Sequence, residues 1–343
     1  MRALRYGIPL LFLGTAPLGF VLGGAWSYLT IALMPVAICG FDWLLGFEGE
    51  GPIPTGTLAY RLAPWLYIAL QIAVIVWAAA SVARPGVTFV SGLGLTLSVG
   101  VTAGVFGILA AHEMVHSRSA AERALGLTLL AFVGYMHFRI AHIHGHHVRA
   151  ATLEDPASAR RGETAYGFIV RSAAGQFREA WTFEVERLRR RGRPVIGVHN
   201  RMLAYLTIEL AIAVAVAAIL GPVSLAFLLA QAVLAVVMLE LFNYIAHYGL
   251  QRTRLPGGGL ERMADRHSWN STRRMNNWSL FNMGRHSDHH RQPSQAYQRL
   301  RIEPDAPELP AGYAGAILLA LAPPLWRKVM DPRVDRWMTK VDV

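Results

Sequence analysis

Cysteine is nearly missing from this sequence of 343 residues, since Cys39 is the single one. One cysteine excludes an intrachain disulfide, a cysteine zinc site, an iron–sulfur cluster and a rubredoxin-like centre within the chain. The sequence also lacks a G-x-G-x-x-G dinucleotide fingerprint opening a βαβ unit. Redox chemistry in this chain would therefore need a metal held by other ligands, and electrons that arrive from outside.

Charged residues are scarce too, at 16% of the sequence, whereas a soluble protein carries about a quarter. Hydrophobic residues make up 53% and the mean hydropathy is +0.33. These residues are concentrated in runs whose lengths are close to the roughly 20 residues that a helix needs to cross the hydrocarbon core of a membrane. We predict an all-α membrane protein, one integral-membrane domain over residues 1–343. About six transmembrane helices are expected, at about 6–24, 25–46, 64–82, 88–115, 202–220 and 222–247.

Two apolar stretches are too short or too interrupted to count as spans. Residues 121–141 are broken by polar residues at their end, so a partial or interfacial helix is expected there. The stretch "AGAILLALAPPLW" near residue 320 is also predicted to be interfacial. Arg2 and Arg5 before an apolar core are typical of a signal peptide, but a second apolar run follows directly. The first run is therefore interpreted as an uncleaved span.

The formal net charge of +11 comes mainly from arginine. Residues 148–201 hold 11 arginines and six acids, and residues 251–309 hold ten arginines and six acids. Basic loops of this kind are typical of the cytoplasmic side of a membrane protein, an interpretation we favour over nucleic-acid binding. The N-terminus and the segments 112–201 and 247–310 are accordingly predicted to be cytoplasmic.

Nine of the 13 histidines fall into four groups, each spaced to converge: "HEMVH", "HIHGHH", "NYIAHYGL" and "RHSDHH". Neutral imidazole binds iron, zinc, copper and nickel, and nine ligands are too many for one ion. Two ions with four or five nitrogens each is the simplest division. The nine predicted metal ligands are His112, His116, His142, His146, His147, His247, His286, His289 and His290.

The four remaining histidines lack this spacing. His137, His144 and His199 are expected to form hydrogen bonds or lie at the surface, and His267 in "HSWNS" is a candidate to support a ligand. Taken alone, "HEMVH" favours a different class of protein, an intramembrane zinc protease with Glu113 as general base. That hypothesis needs only one further ligand and leaves six or more clustered histidines without a purpose.

With these residues, the sequence resembles the membrane-bound alkane hydroxylase family. The resemblance rests on "HEMVH", on "HIHGHH" followed by "TLEDPASAR", on "NYIAHYGL", and on "HSWNS" with "RHSDHH", and it extends over about residues 25–335. It implies a non-haem di-iron monooxygenase of the bacterial inner membrane, related to fatty-acid desaturases, which uses O₂ as co-substrate. It also implies that the same nine histidines hold two iron ions. Two positions depart from the family, because Ala141 and Ala246 replace acids that usually precede ligands.

Three carboxylates lie beside predicted ligands: Glu113, Asp155 and Asp288. Each is a candidate to orient a histidine from the second layer around the metal. The alternative for each is an ordinary surface or capping carboxylate.

Electrons are expected from a separate carrier on the cytoplasmic face, and the resemblance implies rubredoxin. An arginine-rich surface suits an acidic partner, although the same arginines would also fix the topology and bind anionic membrane lipids. This surface includes Arg187, Arg189, Arg190, Arg191 and Arg193.

The expected substrate is a small apolar molecule that reaches the metal from the bilayer. The predicted reaction is hydroxylation of the terminal methyl of a medium-chain alkane. An alkyl-aromatic hydroxylase or a fatty-acyl desaturase is the alternative within the class. Trp43, Trp77 and Phe106 either narrow the substrate channel or simply pack against neighbours and lipid.

Overall fold

The computed structural model describes residues 2–49 and 58–339, which are helical apart from turns and three isolated β-bridges. Short 3₁₀ segments lie at Arg2–Gly7, Gly24–Tyr28, Asp265–His267 and Tyr297–Arg299, and two π-helical turns lie at Ala103–Gly107 and His142–His146. The α-helices are α1 (Ile8–Leu22), α2 (Leu29–Leu45), α3 (Leu58–Val82), α4 (Phe89–Thr102), α5 (Ile108–Val115), α6 (Ala120–Phe132), α7 (Phe138–Ala141), α8 (His147–Arg149), α9 (Ala165–Arg190), α10 (Arg201–Leu220), α11 (Pro222–His247), α12 (Arg274–Ser279), α13 (His286–Arg291), α14 (Gly312–Ala320) and α15 (Pro323–Thr339).

Six helical runs in the described residues are long and apolar enough to cross a membrane, as the sequence predicts. The third begins at Leu58, earlier than the expected residue 64, because the helix continues outward through Arg61, which pairs with Glu122. The protein is therefore a multi-pass membrane protein. The six runs are Arg2–Leu22, Gly24–Leu45, Leu58–Val82, Phe89–Val115, Arg201–Leu220 and Pro222–His247.

The fourth and sixth runs pack closely because glycine faces the contact. A Cβ built on Gly104 would lie 2.6 Å from the carbonyl oxygen of Ala235 on α11, so a larger residue would push the helices apart. Gly104 lies in the π-helical turn that joins α4 to α5. Turns of this kind are frequent at functional sites, and this one lies just before the helix that carries "HEMVH".

Helices α10 and α11 form a hairpin. Gly221 has φ of +87°, a conformation that favours glycine, and Pro222 occupies the first turn of α11. The hairpin brings Arg201 and His247, at the outer ends of the two helices, to the same side of the membrane.

The structure divides the apolar stretch 121–141 into two helices. α6 ends at Phe132, and Gly134, with φ of +62°, turns the chain before α7 begins at Phe138. Neither α6 nor the helices near the C-terminus, α14 and α15, is among the candidate spans. The expectation that these segments do not cross the membrane is thus in agreement with their length.

Candidate metal centre

Four chain segments deliver the predicted ligands to one place. α5 carries His112 and ends at Val115, directly before His116, and α11 ends at His247. The stretch "RHSDHH" folds into α13, so its histidines at spacings of three and four share one side of a helix, as predicted. "HIHGHH" forms a π-helical turn that leads into α8.

All nine histidines meet in two neighbouring groups. Within each group the candidate ligand atoms lie within 4.8 Å of one another. The groups adjoin, since the ring centroids of His147 and His290, one from each group, are 4.7 Å apart. The five-histidine group is His112, His116, His142, His147 and His289, and the four-histidine group is His146, His247, His286 and His290.

The five-histidine group is arranged as a ligand shell around a shared point. Nε2 of His142 lies 2.8 Å from Nε2 of His112, 3.1 Å from that of His116 and 2.9 Å from that of His147. A neutral imidazole has one N–H, so one ring cannot satisfy three facing nitrogens. Nitrogens about 2 Å from one metal ion are about 3 Å apart at right angles, so a shared cation accounts for the spacing.

The four-histidine group has the same geometry. The Nε2 atoms of His247, His286 and His290 lie 3.1–3.2 Å from one another. Nε2 of His146 is buried and has no hydrogen-bond partner among the described residues. An all-imidazole set with open nitrogens fits a transition metal such as iron, copper or zinc, and it does not fit Mg²⁺ or Ca²⁺, which prefer oxygen.

Burial keeps these imidazoles in the form that binds metal. Burial and neighbouring histidines lower the pKa of His116 to about 4. They hold the pKa values of five more well below the ordinary range, so all are neutral at physiological pH. The five are His142, His147, His286, His289 and His290.

Two ring orientations in the four-histidine group are fixed from outside. Nδ1 of His146 donates to Oδ2 of Asp155 at 2.8 Å, and Nδ1 of His247 donates to the carbonyl oxygen of His267 at 3.0 Å. Burial alone would raise the pKa of Asp155, but His146 and the Ser158 hydroxyl outweigh it and lower that pKa. Both contacts leave Nε2 free for a metal, the usual arrangement around bound ions. Asp155 thus has the contact predicted for it.

The other two candidate carboxylates make different contacts. Oε1 of Glu113 accepts the backbone N–H of Tyr297 at 3.2 Å. The Asp288 carboxylate is fully buried and accepts from the Arg291 side chain at 2.7 Å and from the backbone N–H of Arg301 at 2.7 Å. Neither carboxylate has a histidine among its hydrogen-bond partners in the described chain, so a role in orienting a ligand stays a prediction.

The alanines at the two departures from the family pattern are buried. Ala141 is 1% exposed and Ala246 is 0% exposed, so neither position faces solvent.

Four of the predicted ligands have a buried Nδ1 with no hydrogen-bond partner in the described part of the chain. These are His112, His147, His286 and His290.

Glu179 on α9 is a neighbour of the site that sequence reasoning did not find. Its Oε2 lies so near Gly145 that a Cβ there would be 2.7 Å away. Burial raises the pKa of Glu179 to about 7 against the lowering effect of Arg149. Gly145 separates His144 from His146, and no motif in the sequence links that position to α9.

The remaining histidines stay outside both groups, as expected. His144 and His199 are exposed, and the ring of His137 packs 4.4 Å from Tyr135. His267 contributes its carbonyl oxygen to His247, while its own Nε2 lies 2.9 Å from Glu261.

An apolar cavity of about 340 Å³ approaches the metal centre from the membrane side. Leu109 in its wall lies one turn before His112, and Phe242 has its ring centroid 5.5 Å from that of His286. Leu318 and Leu321 in its wall are about half exposed, so the cavity reaches the lipid-facing surface. Pockets of this size and lining bind apolar small molecules.

None of the three aromatic residues considered for the channel lines this cavity. Trp43 is 79% exposed, Trp77 packs against Phe20, and Phe106 is buried and stacked on Phe12. The packing interpretation therefore holds for Trp77 and Phe106.

A second cavity, of about 330 Å³, reaches the five-histidine group from the loop side. Its wall is more polar and includes Glu113, His116, Arg61 and Tyr297. The two cavities give the centre one apolar and one polar approach.

Six apolar helical runs and two adjoining histidine groups that could each hold a metal ion define a class of protein, the histidine-rich membrane enzymes. The family model described as fatty acid desaturase matches residues 87–314. The chain is 42% identical to alkane 1-monooxygenase 1 of Pseudomonas aeruginosa over 84% of this chain and 75% of that protein. It is 37% identical to alkane 1-monooxygenase 2 of the same organism, over 96% and 89% of the two chains.

The chain belongs to the membrane-bound alkane monooxygenase family, and it is an oxygen-dependent oxidoreductase. A more distant likeness covers nearly the whole chain. The chain is 28% identical to the xylene/toluene monooxygenase hydroxylase component of Pseudomonas putida, over 98% of this chain and 90% of that protein. The resemblance drawn from the histidine motifs is thereby confirmed.

Proposed function

We propose that the protein hydroxylates the terminal methyl of medium-chain alkanes with O₂ at a pair of iron ions. The observation that carries the proposal is the double all-histidine centre that adjoins an apolar cavity through Leu109 and Phe242. The reaction consumes an alkane, O₂, two electrons and two protons, and it yields a primary alcohol and water. The identity with two alkane 1-monooxygenases supports the substrate class.

The chain's own residues hold the metals and exclude water. When bound, the iron pair would supply the reduction of O₂ and the oxidising power that a C–H bond requires. The nine histidines would hold the pair, and Asp155 and the His267 carbonyl fix two of the rings. The apolar wall near Leu109 and Phe242 holds the alkane without a hydrogen bond, so chain length and shape select the substrate.

Rubredoxin is the electron donor in this proposal. The single cysteine leaves no carrier centre in the chain itself. His116 and His147, both in the five-histidine group, are the ligands that are partly exposed, so electrons have their shortest entry there. We place the docking of the acidic carrier over these two residues.

The orientation in this proposal follows from charge. The arginine-rich segments and the metal centre lie on the side of the membrane where α10 begins, at Arg201, and α11 ends, at His247. Basic loops stay on the cytoplasmic side of the bacterial inner membrane. The N-terminus and the active site are therefore placed in the cytoplasm.

Hydroxylation of a methyl group on an aromatic ring is the second candidate. The likeness to the xylene/toluene hydroxylase component favours it, although that identity is lower, at 28% against 42%. A zinc protease is disfavoured because both histidines of "HEMVH" share their ion site with three others.

Conversion of a substrate panel by whole cells tests the proposal. Cells that co-express the protein, rubredoxin and rubredoxin reductase receive alkanes, alkyl-aromatics and fatty acyl chains. Primary alcohols from medium-chain alkanes are the expected products, and the purified protein is expected to contain about two irons per chain. One zinc with negligible iron, or products from alkyl-aromatics alone, would overturn the assignment.

A further inference from the structure

A basic and apolar surface lies far from the metal centre, at the end of α9 and in the loop before α10. Ile196 is 84% exposed and Val198 is 95% exposed, an unusual state for two such side chains so close in sequence. We infer that this basic loop surface binds the anionic phospholipid headgroups of the adjoining leaflet. It consists of Arg189, Arg190, Arg191, Arg193, Ile196 and Val198.

The length of α10 places the loop at headgroup level. α10 has 20 residues, which span about 30 Å, the thickness of the hydrocarbon core. Only Met202 and Tyr205 in this helix are buried, so most of its surface is available to lipid. The loop that directly precedes Arg201 therefore lies where hydrocarbon meets headgroups.

The loop is held in shape rather than left free. The Asn200 side chain accepts from the backbone N–H groups of Met202 and Leu203 and donates to the carbonyl of Val195 at 2.7 Å. Arg187 donates to the carbonyl of His199 at 2.7 Å. These bonds fix the loop while Ile196 and Val198 project from it.

Charge complements an anionic leaflet at the same place. Arg190 makes a long contact of 3.6 Å with Glu186. Arg189, Arg191 and Arg193 have no ion pair within the described part of the chain. Arginine beside exposed apolar side chains is the composition of a segment that lies in an anionic interface.

An apolar stripe also lies on the exposed side of α9. Tyr166, Val170 and Phe177 are 56%, 72% and 38% exposed, at spacings that put them on one side of the helix. The Tyr166 hydroxyl donates to the carbonyl of Leu321, which lines the apolar cavity in the membrane. α9 thus carries an apolar stripe at interface level along with its basic end.

An acidic electron carrier is the alternative partner for these arginines. The distance between the arginines and the histidine groups argues against it. Glu179 on α9 lies against Gly145, beside the ligand His146. Arg190 is eleven residues further along the helix, which is roughly 16 Å. A carrier docked there would be far from the histidines, whereas His116 and His147 are partly exposed.

Fluorescence quenching in nanodiscs tests the inference. Cys39→Ser with Ile196→Cys gives the full chain one thiol, which is labelled with an environment-sensitive dye. In phosphatidylcholine discs that also contain phosphatidylglycerol, the dye should shift to shorter wavelength and its quenching by iodide should fall several-fold relative to phosphatidylcholine alone. A matched label at Leu255→Cys, on an exposed apolar residue of another loop, should be quenched equally in both.

Charge removal completes the test. The triple variant R189Q/R191Q/R193Q should abolish the phosphatidylglycerol effect at position 196, and the equal charge change R327Q/K328Q/R336Q on α15 should leave it intact. Equal quenching of the dye at position 196 in both kinds of disc, in the protein that keeps its arginines, would overturn the inference. Shielding that appears only after rubredoxin is added would overturn it too, by assigning the surface to the carrier.

Discussion

The two histidine groups use the same side chain but differ in exposure and support. All four members of the smaller group are buried, and two of its rings are fixed by Asp155 and by the His267 carbonyl. The larger group has one ligand more, and His116 and His147 in it are partly exposed. One site is thus held by outer contacts and the other by an additional ligand. The difference indicates that the larger group is the more accessible one, because His116 also lines the polar cavity.

Removing one ligand from each group should give the largest contrast. His247→Ala leaves three histidines in the buried group, so activity should fall to background and iron content from about two to about one per chain. His116→Ala leaves four histidines, so the iron content should hold while activity falls roughly 10- to 100-fold. Metal analysis and alkane hydroxylation measure both.

His144→Ala is the control for these two variants, because His144 is exposed and outside both groups. Equal metal loss in the two variants would contradict the difference in ligand number. A zinc site built on "HEMVH" would reverse the order, with His116→Ala the more damaging change.

A smaller contrast is expected between two buried aspartates. Asp155→Asn removes the charge that orients His146, so metal affinity and activity should fall roughly 10- to 100-fold. Asp288→Asn instead weakens the contacts of this side chain with Arg291 in the same helix and with the backbone of Arg301, and should lower the free energy of unfolding by roughly 1–3 kcal/mol. Metal titration and thermal unfolding separate the two effects. A larger loss of metal affinity in Asp288→Asn than in Asp155→Asn would contradict this expectation. It would show that a carboxylate beside a histidine in the sequence affects metal binding more than one that contacts a histidine in the structure.

The smallest expected effect is a rate difference in metal loss. A small chelator should remove the ion of the five-histidine group several-fold faster, since His116 lines a polar cavity and the other group is enclosed. Iron released over time should therefore follow two phases of about equal size. A single phase would indicate that the two ions leave together.

The nine histidines that the sequence predicted to converge do come together, because imidazole spacing on a helix is a local property. The hairpin at Gly221 and the six spans followed from local signals in the same way. The division into a group of five and a group of four agrees with the prediction of four or five nitrogens for each ion, but the membership of each group was out of reach. It depends on a π-helical turn that sends His142 and His147 to one group and His146 to the other. An ordinary helix would have aligned residues four apart, His142 with His146.

Contacts between distant segments were harder still to predict. Asp288 stands between two predicted ligands in the sequence, yet its partners are Arg291, Gln295 and the backbone of Arg301. Glu179 comes near the site only because α9 packs against the π-helical turn. The helix predicted over 121–141 ends at Phe132, because a turn through Gly134 satisfies the backbone where the apolar pattern alone favoured continuation.

The π-helical turn at His142–His146 makes this part of the chain sensitive to length rather than to composition. Deleting one residue there, such as the exposed His144, would rotate everything after it by about 100° relative to His142. His146 and His147 would then both leave their groups, although every ligand would still be present in the sequence. Substitution of His144 should be tolerated far better than any insertion or deletion between His142 and His146.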